Sequence, residues 1–174
     1  LGDAGDIRAE YERLGGLLHA RARRGLDDKQ WDQALPDLER AAVLLVQDPE
    51  PCLDLARTLG RLGRLQDAMA AAQRAIDRRP DHVAAFVFLG AAQAKLGLHE
   101  PAAASFASAA RFDKDSFPAL LGLGLSSVAL SRNREAEDAL GRAAALRPES
   151  PEVHVALARL LGPLGRTKEA VAAW

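Results

Sequence analysis

The residue types best suited to chemistry are thinly spread along this 174-residue chain. The four histidines, His19, His82, His99 and His154, form no HExxH pattern and no paired metal-ligand spacing. Cys52 is the only cysteine, which excludes an intrachain disulfide and a cysteine-based zinc site. No GxxxxGK[ST] phosphate loop and no GxSxG nucleophile elbow occurs. Gly122 and Gly124 form a glycine pair with no strand pattern before it, so close helix packing explains it better than nucleotide binding. Glu135, Glu137 and Asp138 fit a solvated helix surface. The basic run Arg21, Arg23 and Arg24 is followed by Asp27 and Asp28, whose charges offset it, so a solvated helix end is expected there rather than a phosphate site. No catalytic residue, metal site or cofactor is predicted. This stretch of chain is expected to be non-catalytic, with the parent protein left open.

The overall charge points the same way. Lys+Arg number 23 and Asp+Glu 24, a net of −1. That balance argues against a nucleic-acid binder, which needs a basic stripe, and against a polybasic membrane-surface module. No apolar run approaches the ~20 residues of a membrane span. Hydrophobic residues make up 48% of the chain and aromatics only 5%. Ala and Leu dominate, which favours helices that approach one another closely. The chain begins at Leu1 rather than Met and has an Ala/Arg/Leu/Gly bias. It is therefore expected to be a bacterial fragment, with cytoplasm and periplasm both open as its compartment.

The elements that must position any site emerge from self-similarity. Segments 49–82, 83–116, 117–150 and 151–174 align without gaps at a spacing of 34. The seventh column holds Leu55, Leu89, Leu123 and Leu157, and the eighth Ala56, Gly90, Gly124 and Ala158. Leu62, Leu96, Leu130 and Leu164 fill the fourteenth, and Gly63, Gly97, Ser131 and Gly165 the fifteenth. Ala68, Ala102, Ala136 and Ala170 occupy the twentieth, and Ala75, Ala109 and Ala143 the twenty-seventh. Each unit is expected to hold two helices, with the Leu-Gly step closing the first and reversing the chain. Ser116 and Ser150 are expected to cap helix starts, with Pro118 and Pro151 in the first turn. The twenty-fourth column, Leu38, Ala72, Phe106, Leu140 and Trp174, should plug the space between the helices. Upstream, 1–48 is expected to be a divergent first unit with a long leading helix and a loop at 24–28. Pro36 should shift or kink a second helix, and Pro163 should end a first helix early. The final unit stops midway through its second helix, which should leave an uncapped apolar face.

On these columns the chain resembles the tetratricopeptide repeat family, whose unit is a 34-residue antiparallel helix pair. The resemblance covers 49–174 strongly and 15–48 weakly. The family's fourth-column Trp is replaced by Cys52, Phe86, Leu120 and His154, and its eleventh-column Tyr by Leu59, Gln93, Ser127 and Leu161. The resemblance implies an all-α, right-handed solenoid of stacked helix pairs. It also implies that columns two, five, nine, twelve and thirteen line a concave surface. The fifth column is apolar throughout: Leu53, Val87, Leu121 and Val155. The ninth reads Arg57, Ala91, Leu125 and Arg159, Val128 lies in the twelfth, and Arg61 and Lys95 stand in the thirteenth. Together these predict an apolar groove flanked by arginine. The family's clamp for chaperone-tail carboxylates needs Lys and Asn in columns two, five and nine. Glu50, Ala84, Pro118 and Glu152 stand in the second column here, so that clamp is not expected.

The function implied is a non-catalytic protein–protein interaction scaffold that takes a peptide or helix with apolar anchors and an acidic flank. Two other readings remain open. One is the targeting or substrate-presenting part of a larger enzyme of glycosyltransferase or sulfotransferase type. The other is an assembly module of a bacterial secretion or exopolysaccharide export complex. Self-association through the uncapped C-terminal end is a further expectation, with no nucleic acid and no membrane insertion.

Overall fold

The computed structural model describes residues 4–166. Among the described residues there are nine α-helices and no strand: α1 (Ala4–Asp27), α2 (Trp31–Leu44), α3 (Glu50–Arg61), α4 (Leu65–Arg78), α5 (Val83–Lys95), α6 (His99–Phe112), α7 (Phe117–Ala129), α8 (Asn133–Leu146) and α9 (Pro151–Leu161). They gather into two compact units that divide inside α5, between Phe88 and Leu89.

The chain reverses at each helix pair by one recurring turn. Gly63, Gly97 and Gly165 sit at φ 78°, 74° and 72°, in the left-handed region that a glycine enters without a Cβ clash. The following N–H reaches back five residues in each case: Arg64 N to Leu59 O at 2.9 Å, Leu98 N to Gln93 O at 3.0 Å and Arg166 N to Leu161 O at 3.1 Å. This is the Schellman closure of a helix end. Ser131 makes the same turn at φ 57°. So does Lys29 at φ 59°, with Gln30 N donating to Gly25 O at 2.8 Å. Lys29 lies 34 residues before Gly63, so the turn position persists upstream without its glycine.

Small residues then let the helices close on one another. In the first unit Ala34, Ala41, Ala68 and Ala75 are buried around Leu38 and Ala72. In the second, Ala102, Ala109, Ala136 and Ala143 are buried around Phe106 and Leu140. Ala136 and Leu140 of α8 and Ala156 and Leu160 of α9 form one apolar cluster. Trp174 and Ala170 lie outside the described residues, as does the expected uncapped end.

Four expectations are corrected. The segment 24–28 is not a loop: α1 stays helical to Asp27, because the reversal waits for Lys29. The start of α2 is not shifted by Pro36; it lies at Trp31, in register with α4, α6 and α8, and the proline sits on an exposed face. Ser116 and Ser150 stand at helix N-caps, but neither side chain caps. The Ser150 hydroxyl instead donates to Glu152 Oε2 at 2.6 Å. Leu53, expected on an open concave face, is 1% exposed. Every residue from Pro51 to Ala56 is buried, so this part of α3 has no open face. The α9 helix ends at Leu161, ahead of Pro163.

Candidate functional site

The second unit contains a cleft of about 610 Å³ built from four helices. The last turns of α5 supply Ala91, Ala94 and Lys95. The floor is the ring of Phe106 from α6, beside Gly122, Leu125, Val128 and Ala129 of α7. Gly122 is required there: a Cβ would come within 2.4 Å of the Phe106 ring, so any other residue would displace the floor. His99 opens α6 at one edge, and Arg159 of α9 stands at another.

The cleft is apolar with a basic rim. Among the described residues Lys95, His99 and Arg159 make no ion pair and no side-chain hydrogen bond, and no carboxylate lines the cleft. The polar groups next to it are satisfied internally. Ser127 Oγ donates to Glu135 Oε2 at 2.9 Å, and Ser105 Oγ donates to Gln93 Oε1 at 2.7 Å. The arrangement presents apolar surface and uncompensated positive charge, with no nucleophile–base pair and, among the described residues, no metal-ligating cluster.

Of the residues expected to form the groove, Ala91, Lys95, Leu125, Val128 and Arg159 come together here. Leu121 lies in a neighbouring hollow with Phe117 and Arg147, whose guanidinium sits 4.3 Å over the Phe117 ring. Leu121 and Val128 also pack on the α8–α9 cluster. Val155 is 38% exposed on α9 but does not line the cleft. In the first unit Val87 is half-buried. Arg61 stacks over Trp31 with its guanidinium carbon 5.7 Å from the ring centroid. Arg57 approaches Asp54, with Nη1 3.4 Å from Oδ1.

Asp54 is the centre of a polar knot rather than part of an open surface. Its carboxylate meets His19 Nε2 at 2.9 Å, with Arg23 at 3.9 Å. Burial pushes its pKa up, but the His19 hydrogen bond and the electrostatic pull of His19, Arg57 and Arg23 outweigh burial, holding the carboxyl below its ordinary value. Asp37 is held down chiefly by its hydrogen bond from Arg21, against a smaller upward push from burial.

Sequence reasoning did not assign His99, Phe106, Gly122 or Ser126 to the site. Gly122 carried a usable signal, as a glycine one helical turn before Ser126 on an otherwise apolar helix.

The tetratricopeptide repeat profile matches residues 53–117 and 121–174. The chain belongs to the tetratricopeptide repeat family. No curated protein sequence matches it. Among solved structures it is similar to MamA of Desulfovibrio magneticus RS-1, at TM-score 0.84 and 23% identity over 91% of this chain and 90% of that one. A second MamA crystal structure superposes at TM-score 0.81 with 17% identity, covering 97% of this chain and 88% of the other. A tetratricopeptide repeat protein from Parabacteroides merdae gives 0.82 with 17% identity, over 92% and 64%. At these identities the likeness is one of fold: an all-α solenoid. As a tetratricopeptide repeat chain, the molecule is a protein–protein interaction scaffold on a fold that is generally non-catalytic, and its ligands are proteins.

Proposed function

We propose that the cleft of the second unit binds an apolar peptide or helix flanked by acidic residues. The reading rests on one observation: an apolar floor over Phe106 is rimmed by Lys95, His99 and Arg159, which have no carboxylate of their own among the described residues. Apolar anchors would give the contact its area, and acidic flanks would meet charge that the protein leaves uncompensated. The repeat units underlying this reading are 1–48, 49–82, 83–116, 117–150 and 151–174.

Peptides selected from a displayed library on the intact chain should enrich Leu, Ile or Phe anchors beside Asp or Glu. Their binding should weaken with salt, and NMR shift changes should fall on α5, α7 and α9. Leu125→Glu and Arg159→Glu change exposed side chains, so each should leave the thermal melt within ~0.5 kcal/mol of wild type while lowering affinity at least tenfold. Leu121 is the poorer test because it supports the apolar cluster. Enrichment of basic flanks, or undiminished binding by both variants, overturns the reading.

A further inference from the structure

The cleft of the second unit continues into another hollow on the same two helices. This hollow, of about 560 Å³, lies at the opening turns of α7 and α9, where Phe117 and Leu121 meet Glu152 and the preceding turn supplies Arg147 and Glu149. The cleft lies at the closing turns, where Leu125 and Val128 of α7 stand beside Arg159 of α9. Phe117, Leu121, Leu125 and Val128 are spaced i, i+4, i+8 and i+11, which puts them on one stripe of α7. Glu152, Val155 and Arg159, at i, i+3 and i+7, share one stripe of α9. Val155 lines neither hollow but is 38% exposed, and its place on that stripe falls between them. The two hollows are therefore the ends of one trough, about 16 Å long from Phe117 to Val128 at a rise of ~1.5 Å per residue.

The ends of the trough carry opposite charge. Lys95 and Arg159 stand at the cleft end, where no carboxylate is among the lining residues. At the other end two carboxylates, Glu149 and Glu152, share the hollow with one cation, Arg147. That guanidinium lies over the Phe117 ring, 4.3 Å from its centroid. Glu149 is exposed and, among the described residues, makes no hydrogen bond or ion pair. Glu152 is exposed too. Its carboxyl accepts the Ser150 hydroxyl at 2.6 Å, which holds its pKa below the ordinary value and keeps it ionised at neutral pH. An acidic flank on a ligand therefore suits one end only. A ligand long enough to fill the trough meets basic groups at the cleft and acidic groups at the second hollow.

We propose, as a step that rests on the binding role of the cleft, that the trough takes an amphipathic helix of about three turns from a partner protein, lying antiparallel to α7, with acidic residues in its first turn at Lys95 and Arg159 and basic residues in its last turn at Glu149 and Glu152. The stripe on α7 supplies apolar contacts at the spacing that another helix matches with its own i, i+4 side chains. Ala91, Ala94 and Gly122 are small, which leaves room for a helix backbone beside them. The direction follows from the ligand's own dipole. A helix with acid in its first turn and base in its last is the stable order, and only an antiparallel placement brings those ends to groups of opposite sign. A ligand that is acidic at both ends meets like charge at Glu149 and Glu152.

The probes are two fluorescein-labelled peptides held helical by a hydrocarbon staple, with leucines spaced as Phe117, Leu121, Leu125 and Val128 are. One has Glu in its first turn and Lys in its last; the other has Glu in both. Each is titrated against the intact chain by anisotropy. The Glu–Lys peptide should bind about fivefold or more tighter than the Glu–Glu peptide. Glu149→Lys should reverse that preference while circular dichroism and the melt stay unchanged, because the side chain is exposed. A nitroxide on the acidic end should broaden amides near Lys95 and Arg159, and one on the basic end those near Phe117 and Glu152. Suppose the Glu–Glu peptide binds as well as the Glu–Lys peptide, or Glu149→Lys changes nothing, while Arg159→Glu still weakens both. The trough proposal then falls and the cleft stands. If Arg159→Glu weakens neither, the role of the cleft falls and the proposal with it. Equal binding by an unstapled Glu–Lys peptide with a central proline would overturn the helix, and nitroxide broadening at the opposite ends would overturn the direction.

Discussion

The two units use the same helix pair to opposite ends. In the first, polar side chains tie helices to one another: His19 of α1 to Asp54 of α3, Arg21 to Asp37, and Arg74 and Arg78 to the end of α2. His82, itself 8% exposed, adds a contact to Glu50 Oε1 at 3.1 Å. The second also has polar ties, from Arg132 to Glu100 and from Arg142 to Lys114 O, but its cleft is apolar, a bulky Phe106 occupies a place where the first unit has Ala72, and the basic groups at the cleft rim make no ion pair among the described residues. A repeat therefore specifies how helices pair without specifying what their outer faces do. Where arginine and aspartate find partners inside the unit, the face is used up in holding the unit together. Where they do not, it stays available to a ligand.

The largest test is a point at which the comparison should fail. Leu38 and Leu140 occupy the same column and are both 0% exposed. Leu38→Ala and Leu140→Ala should each cost about 2–5 kcal/mol in urea unfolding followed by circular dichroism. A large inequality would show that the two cores are not built alike.

A smaller effect should separate the units by pH. Asp54 and Asp37 have folded pKa values below those of the unfolded chain. Their contribution is therefore present above the ordinary carboxylate range and is lost as pH falls through the lowered folded values. Asp54→Ala should cost about 1–2 kcal/mol at neutral pH, in line with a half-buried charged hydrogen bond. It should also flatten the acid limb of the stability curve. Glu152 in the second unit is likewise held low, by the Ser150 hydroxyl, but it is fully exposed and should leave that limb unchanged when replaced by Gln. An acid limb identical in wild type and Asp54→Ala would remove the distinction between the units.

The smallest effect concerns the turns. Ser131→Gly and Lys29→Gly place glycine at positive φ, where its relatives at the same column already have it. Each should raise stability by about 0.5–1 kcal/mol in thermal melts, through relief of the left-handed backbone cost. A loss at Lys29 alone would mean that its side chain, rather than its backbone, holds the α1–α2 turn.

Much of the helix pairing was legible in advance, and the residues show why. The Leu-Gly turns and the alanine columns act over a few ångströms, so their spacing carries the local geometry directly. The upstream turn at Lys29 was missed because its column lacks glycine, which made the Arg24–Asp28 stretch look like a loop. Leu53 was misplaced because an apolar residue on a helix face is open or covered according to its neighbours. Here α1 lies against α3 through His19 and Asp54, a contact between residues 35 apart whose types give no hint of meeting. The cleft was partly legible: Ala91, Lys95, Leu125, Val128 and Arg159 fall in the columns expected, whereas His99 and Phe106 arrive from the second helix of a pair.

The sequence by itself determined that this chain is an array of paired helices, because a period of 34 with small residues at set columns is the pattern of stacked helix pairs whose backbones approach closely. It also determined the absence of recognisable catalytic motifs. Only the tertiary structure decided which apolar faces remain open and which arginines keep an unsatisfied charge. Burial and ion pairing depend on side chains brought together from distant repeats, and identical columns acquire different neighbours at each step.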